Sequence, residues 1–324
     1  VKLLVTGITG KVGSNFLPAF LDEERFADWS IRAICNNRTI THPAVEVLRA
    51  SLSDAAAMQS AMAGVTHVLH MAAVKERPDL AMDVGVKGMF NLLEAFRASP
   101  TARQFVLIGG DCSVGHIFHK YVAPITETSP RRAYRGCYAL TKVIEEVMLE
   151  QYCIQYGING CCLRAPWIMQ KDDFRHVLSF RSQFGGPPWS EFFSAEEIDR
   201  LAQLGAVPLL RDAEGVPLQR NFIHVSDLVA AILAALDDPA ADGELFNVSM
   251  AEPVDYAQVA AHLQTTRGLQ VVDVPTPYFS NWFDSAKARQ MLGWRPLVDL
   301  EQMIERAWAY VRPADDPRIV WYPG

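Results

Sequence analysis

The sequence predicts an α/β fold: a doubly wound parallel sheet with helices on both faces, followed by a smaller C-terminal lobe. Three observations carry this. Short apolar runs alternate with segments of helical period up to about Arg164. A glycine-spaced turn joins the first run to the first helical segment, and beyond Arg164 the alternation gives way to Pro- and Gly-rich chain.

Lys2–Thr6 reads as a buried strand and Ser14–Leu21 as the helix after it. Ile31–Cys35 and Val45–Leu48 are further strands, Ala55–Met62 a helix and Val68–Met71 a strand. Lys87–Arg97 places Leu92, Leu93 and Phe96 on one helical face, and Gln104–Ile108 is a strand. Thr141–Tyr156 is a long amphipathic helix and Asn159–Leu163 a strand. Residues 166–221 hold the turn Gly185-Gly186-Pro187-Pro188-Trp189 and a polar segment at Glu196–Arg200. Phe222–Val225 and Asp227–Leu236 then read as a strand and helix returning to the main sheet, with Leu245–Val248 another short strand. Helical periods recur at Tyr256–Leu263, Ser285–Leu292 and Leu300–Tyr310. The expected partition puts residues 1–166 and about 222–249 in the sheet domain, and about 167–221 and 250–324 in the second lobe.

Composition narrows the function classes. The 324 residues carry 30 Lys+Arg against 37 Asp+Glu, a formal charge of −7, and half of them are hydrophobic. That excludes a disordered chain and argues against a nucleic-acid partner, which calls for a basic face. Apolar stretches such as Leu228–Leu236 are too short for a bilayer. No basic segment followed by an apolar one opens the chain, so no secretory signal is expected. Six cysteines without a CxxC pair point to reduced thiols and a cytoplasmic location. His116 and His119 form an HxxH with no further ligand at a familiar spacing, so no metal is expected.

The turn reads Thr6-Gly7-Ile8-Thr9-Gly10-Lys11-Val12-Gly13. Glycines at this spacing permit a tight turn and bring backbone N–H groups close to a pyrophosphate at the helix N-terminus. Other segments add to it: His70-Met71-Ala72-Ala73, Asn91-Leu92-Leu93-Glu94-Ala95, Tyr138-Ala139-Leu140-Thr141-Lys142 and Leu163-Arg164-Ala165-Pro166. Near the C-terminus come Arg220-Asn221-Phe222-Ile223-His224-Val225-Ser226-Asp227, then Ser285-Ala286-Lys287-Ala288-Arg289 with Leu292-Gly293-Trp294-Arg295-Pro296. With these motifs the chain resembles, almost end to end, the extended short-chain dehydrogenase/reductases, the NAD(P)-dependent epimerase/dehydratase family.

The resemblance implies a Rossmann-type sheet domain, a substrate-binding lobe and hydride transfer on a sugar, nucleotide-sugar or sugar-acid-like alcohol or ketone. It assigns Gly7, Thr9, Gly10, Lys11, Val12 and Gly13 to the pyrophosphate loop, and Met71, Ala72, Ala73 and Pro166 to the cofactor's surroundings. The second strand ends Ile34-Cys35-Asn36-Asn37-Arg38, without the carboxylate that accepts hydrogen bonds from the NAD ribose. Asn36 then serves the ribose, and Arg38 or Arg32 is available to a 2′-phosphate, which tilts the cofactor from NAD toward NADP. Ser51, followed by Leu52, stands where the family has an Asp near the adenine.

Tyr138 and Lys142 lie four residues apart, on one helical face. An ammonium beside a phenol lowers its pKa, so Tyr138 is expected to be the acid/base and Lys142 its electrostatic partner. Several positions depart from the family. Gly110 stands where a Ser or Thr hydroxyl orients the substrate oxygen; Ser113 is a displaced candidate for that role and Cys112 a weaker donor. Asp111 matches an acid of the family's dehydratases, and Gly85 replaces a helix asparagine. Arg220 aligns with an arginine that pairs with nucleotide diphosphates, but no second arginine precedes Asp284, so a smaller substrate is credible. Trp167 is a candidate pocket wall or an apolar core position, and Phe180–Leu204, with Trp189, Phe192 and Phe193, a lid or wall over the site or a set of aromatics packed at a lobe interface. The resemblance also implies a homodimer, with Val143, Val147 and Met148 as candidate seam residues. The alternative to an enzyme is a chain that binds NAD(P) without turnover and serves as a redox sensor.

Overall fold

The computed structural model describes residues 1–181, 189–316 and 318. Seven parallel strands form the main sheet. The first six in chain order are β1 (Lys2–Thr6), β2 (Ser30–Cys35), β3 (Val45–Arg49), β4 (His67–His70), β5 (Gln104–Gly110) and β6 (Gly160–Ala165). Across the sheet they run β3-β2-β1-β4-β5-β6, and Leu245–Asn247 closes the edge beside β6. The order reverses between β1 and β4, which opens a crevice at the carboxyl ends of those strands.

Helices cover both faces. One apolar layer packs Phe16 and Phe20 of the Lys11–Asp22 helix with Leu228 and Ile232 of the Val225–Ala235 helix against Leu3, Val5 and Val106. The other packs Met89, Leu92, Leu93 and Phe96 against Leu4, Val68 and Phe105. Strands buried on both faces read as continuous apolar runs, which is why the periodicity located them. Helix ends extend past the periodic cores where capping is available. Asp54 accepts from Ala57 N at 3.0 Å, and Asp299 and Gln302 form a reciprocal capping box.

A second core joins late segments: Phe174, Leu178 and Phe180 pack with Leu210, Leu218 and Phe222, and with Val259, Leu263, Met303 and Ile304. One expectation is corrected here. Phe222–His224 does not return to the main sheet but pairs in parallel with Trp167–Met169 as a separate two-stranded ribbon. The strand has only three residues, and its Phe222 ring packs edge-on to Trp167 and Phe174. Of the two readings of the Phe180–Leu204 aromatics, lid and packed interface, the second fits: Trp189 lies tilted 4.9 Å from Phe180, whose ring meets Phe193 at 5.6 Å, so these aromatics build the second core. Residues 182–188 of the Gly-Pro turn lie outside the described residues.

Candidate active site

The crevice is a cleft of about 490 Å³ at the carboxyl ends of β1, β2, β4, β5 and β6. At one end the β1 turn supplies backbone. Gly7 has φ +75°, and a Cβ there would stand 2.7 Å from Ala72 N. Thr6 holds that contact in place: its hydroxyl donates to His70 Nδ1 at 2.7 Å and accepts from Met71 N and Ala72 N at 3.2 Å. Gly10 caps the Lys11–Asp22 helix without a side-chain acceptor, so the first-turn N–H groups face the cleft. Gly13 does not line the cleft; a Cβ there would stand 2.4 Å from Ile8, so it lets helix and turn pack.

Gly7, Thr9, Gly10, Lys11 and Val12 line the cleft together with Asn36, Arg38, Ser51, Leu52, Met71, Ala72, Ala73 and Pro166. The Gly7 cradle and the uncapped helix end suit a dinucleotide pyrophosphate, and the end of β2 suits its ribose. Among the described residues no carboxylate pairs with Arg38. Arg32 is corrected as a 2′-phosphate partner: it is buried, donates to the carbonyls of Ala61 and Ala63, and pairs with Glu46 at 3.0 Å.

Toward the other end, Tyr138 and Lys142 rise into the cleft from the Cys137–Tyr156 helix. That helix starts at Gly136 (φ +141°), and its N-terminus is capped by Glu76, which accepts from Cys137 N at 2.9 Å. The expected pKa of Tyr138 is corrected. Burial, with Cys112 and Tyr134 close by, raises the phenol well above its ordinary value. Lys142 does not counter this, because its ammonium is spent elsewhere: it donates to Glu145 at 2.7 Å and to the Ile108 carbonyl at 3.0 Å. Burial alone would lower Lys142, but the Glu145 carboxylate outweighs it and holds the ammonium protonated. Gly85 packs against Thr141 and Glu145 of the same helix, where a side chain would be crowded.

Sequence reasoning missed Lys75. Its ammonium stands 3.4 Å from the centroid of the Tyr138 ring, a cation–π contact inside the cleft. Burial pushes it down to about 8. It lies two residues beyond the His-Met-Ala-Ala motif, and no spacing rule marked it.

Gly110 is accounted for by its neighbour. A Cβ there would stand 2.9 Å from Cys112 Sγ and 3.8 Å from the Tyr138 hydroxyl, so the sulfur crowds the position where a side chain would start. Burial pushes the Cys112 thiol up to about 12, so it stays neutral. Ser113 is corrected as a catalytic donor. Its hydroxyl is fully buried away from the cleft, 2.7 Å from Glu146 and 2.8 Å from the Gly110 carbonyl. Glu146 also accepts two hydrogen bonds from Arg164, a buried ion pair beneath β5 and β6.

Asp111 and Trp167 line the substrate end, with His116 between them. Arg220 is corrected as a lining residue: it is buried behind Trp167 and bonded to His116. His119 faces the Ala133 carbonyl at 3.4 Å.

Comparisons with known proteins agree with this geometry. The chain is 24% identical over 358 residues to a 3 beta-hydroxysteroid dehydrogenase/Delta 5-->4-isomerase of Mycobacterium tuberculosis, covering 95% of this chain and 90% of that protein. It is 24% identical to UDP-glucuronate 4-epimerase 1 of Arabidopsis thaliana, covering 94% of this chain and 75% of that one. A short-chain dehydrogenase/reductase superfamily protein from Agrobacterium tumefaciens, solved with bound NAD, superposes with a TM-score of 0.77 at 26% identity, covering 95% and 96% of the two chains. UDP-glucose 4-epimerase of Thermotoga maritima, solved with UDP-glucose, superposes at 0.70 with 21% identity, covering 95% and 97%, and shares the fold. Residues 3–172, over half of the chain, match the NAD dependent epimerase/dehydratase family. The protein is therefore an enzyme of that family, an extended short-chain dehydrogenase/reductase.

Proposed function

We propose that the protein is an NAD(P)-dependent oxidoreductase or epimerase acting on a carbohydrate-like alcohol or ketone, with Tyr138 as its acid/base. One observation carries the reading: the glycine turn at Gly7 and the phenol of Tyr138 open onto the same cleft. The bound nicotinamide supplies or accepts the hydride. The Gly7–Gly10 turn and the helix N-terminus hold the phosphates, and Asn36 and Ser51 face the adenosine half. Arg38, unpaired among the described residues and with Asn36 in place of a carboxylate, favours NADP over NAD.

The raised pKa of Tyr138 gives its role a direction. The resting phenol carries its proton and donates it to a substrate carbonyl oxygen as that oxygen gains charge. Lys75, whose ammonium lies over the Tyr138 ring, supplies the positive charge beside the phenolate left behind. Lys142 stays cationic in its pair with Glu145 in the cleft wall. The reading is tested by following reduced nicotinamide with NAD and NADP across free sugars, sugar acids, nucleotide sugars and hydroxysteroids. Turnover by the wild type that Tyr138→Phe abolishes supports it; turnover that survives the substitution contradicts it.

A further inference from the structure

A site for a nucleotide-linked substrate must hold a diphosphate, and away from a helix N-terminus a diphosphate calls for cations with donors to spare. The cations that line this cleft are engaged or lie at its adenosine end. Lys11 pairs with Asp173 at 2.7 Å and donates to the Ile168 carbonyl at 2.9 Å. Lys142 is bound to Glu145, Lys75 sits on the Tyr138 ring, and Arg38 lies at the end of β2. The substrate end is walled by Asp111, Cys112, His116, Tyr134 and Trp167, with no guanidinium among them.

Arg220 is one layer behind that wall and 1% exposed. Its Nη2 donates to His116 Nε2, and its guanidinium carbon lies 3.7 Å over the Trp167 ring. Among the described residues its Nε has no hydrogen-bond partner, so the imidazole and the indole face hold it in place. On its other side the same imidazole donates through Nδ1 to Asp111. These two bonds define the tautomer: the proton is on Nδ1 and the lone pair on Nε2 faces the arginine. Burial keeps the ring's pKa below the ordinary histidine value, so it stays neutral. A neutral imidazole thus links the charge of Arg220 to that of Asp111.

The backbone is bent to make this link. His116 has φ +48°, in the left-handed region where a non-glycine residue is strained. Asn281, from the distant end of the chain, holds it there by donating to its carbonyl at 2.6 Å.

We infer that His116 is a specificity-determining residue: by tying Arg220 through its imidazole to Asp111, behind Trp167, it closes the substrate end to nucleoside diphosphates. The cleft then takes an alcohol or ketone that carries no such handle. This rests on the reading of the cleft as a hydride-transfer site.

The test is calorimetric titration of UDP into the full chain in the presence of NAD, for wild type, His116→Gly and His116→Asn. Glycine and asparagine both tolerate a positive φ, so either variant that folds serves. Wild type is expected to show no saturable UDP binding. Release of Arg220 is expected to raise UDP affinity by about tenfold or more, and adding Arg220→Met to remove the gain. Saturable UDP binding by wild type, or no gain in the folded variants, overturns the assignment. NAD is titrated into the same samples: wild type that binds both UDP and NAD overturns the role of His116 alone, whereas wild type that fails to bind NAD overturns the hydride-transfer reading beneath it.

Discussion

The two ends of the cleft are built from different materials. At the phosphate end the contacts come from backbone: Gly7 at φ +75° against Ala72, and the open N–H groups after Gly10. At the substrate end they come from side chains of distant segments: Asp111, His116, Trp167, Arg220 and Asn281. A backbone site needs only a short local motif and accepts any ligand with the right phosphate spacing. A side-chain site depends on tertiary contacts, and exchanging one partner changes what it admits.

Substitutions at the two ends should therefore fail in different ways. The largest effect is expected at Tyr138. Tyr138→Phe removes the transferable proton and should lower kcat by about 10²–10⁴-fold, as loss of a general acid does. Steady-state rates near wild type would remove Tyr138 from the chemistry.

Gly110→Ser restores a hydroxyl to the family position but places Cβ 2.9 Å from Cys112 Sγ. Overpacking of this kind should cost about 1–3 kcal/mol in denaturant unfolding, and adding Cys112→Ala should recover most of it. A stable single variant with raised activity would show instead that the missing hydroxyl limits the reaction.

A pH test separates folding from chemistry. Burial lowers His70 from 6.5 to about 3. The folded state thus resists a proton that the unfolded chain accepts, so the contribution is fully present above pH 6.5 and is lost as pH falls from there toward 3. Stability should drop by about 1.4 kcal/mol per pH unit in that window for this residue, and His70→Gln should flatten the slope. Melting temperatures from neutral pH down to the acid limit check this; an unchanged slope would place the acid sensitivity elsewhere. The smallest effect is expected at Arg38. Arg38→Ala should weaken NADP by about tenfold and leave NAD unaltered, and equal losses for both would deny it a 2′-phosphate role.

Much of the fold is legible in the sequence because its signals are local. The strands buried on both faces are continuous apolar runs, and the first turn is marked by Gly7, whose positive φ few other residues take easily, and by Gly13, where a Cβ would meet Ile8. The same locality placed Tyr138 and Lys142 on one helical face. Most of what escaped is set by distance along the chain. Glu145 is the exception: it is three residues from Lys142, but its burial against the ammonium is a tertiary fact, and the phenol is raised where a free ammonium beside it would lower it. Lys75 reaches the Tyr138 ring from 63 residues away. Ser113 was weighed as a donor because it is near Gly110 in sequence, but the buried Glu146–Arg164 pair turns it inward. Phe222–His224 has strand composition, yet only the tertiary structure says that its partner is Trp167–Met169.

The most direct test of a cleft divided in this way is one titration of NAD and NADP into wild type, Gly7→Ala and Tyr138→Phe. A methyl group at Gly7 meets Ala72 N at 2.7 Å on a backbone with φ +75°, so cofactor affinity should fall by about tenfold or more. Tyr138→Phe should bind within about twofold of wild type. Retained affinity in folded Gly7→Ala, or its loss in Tyr138→Phe, would contradict the account.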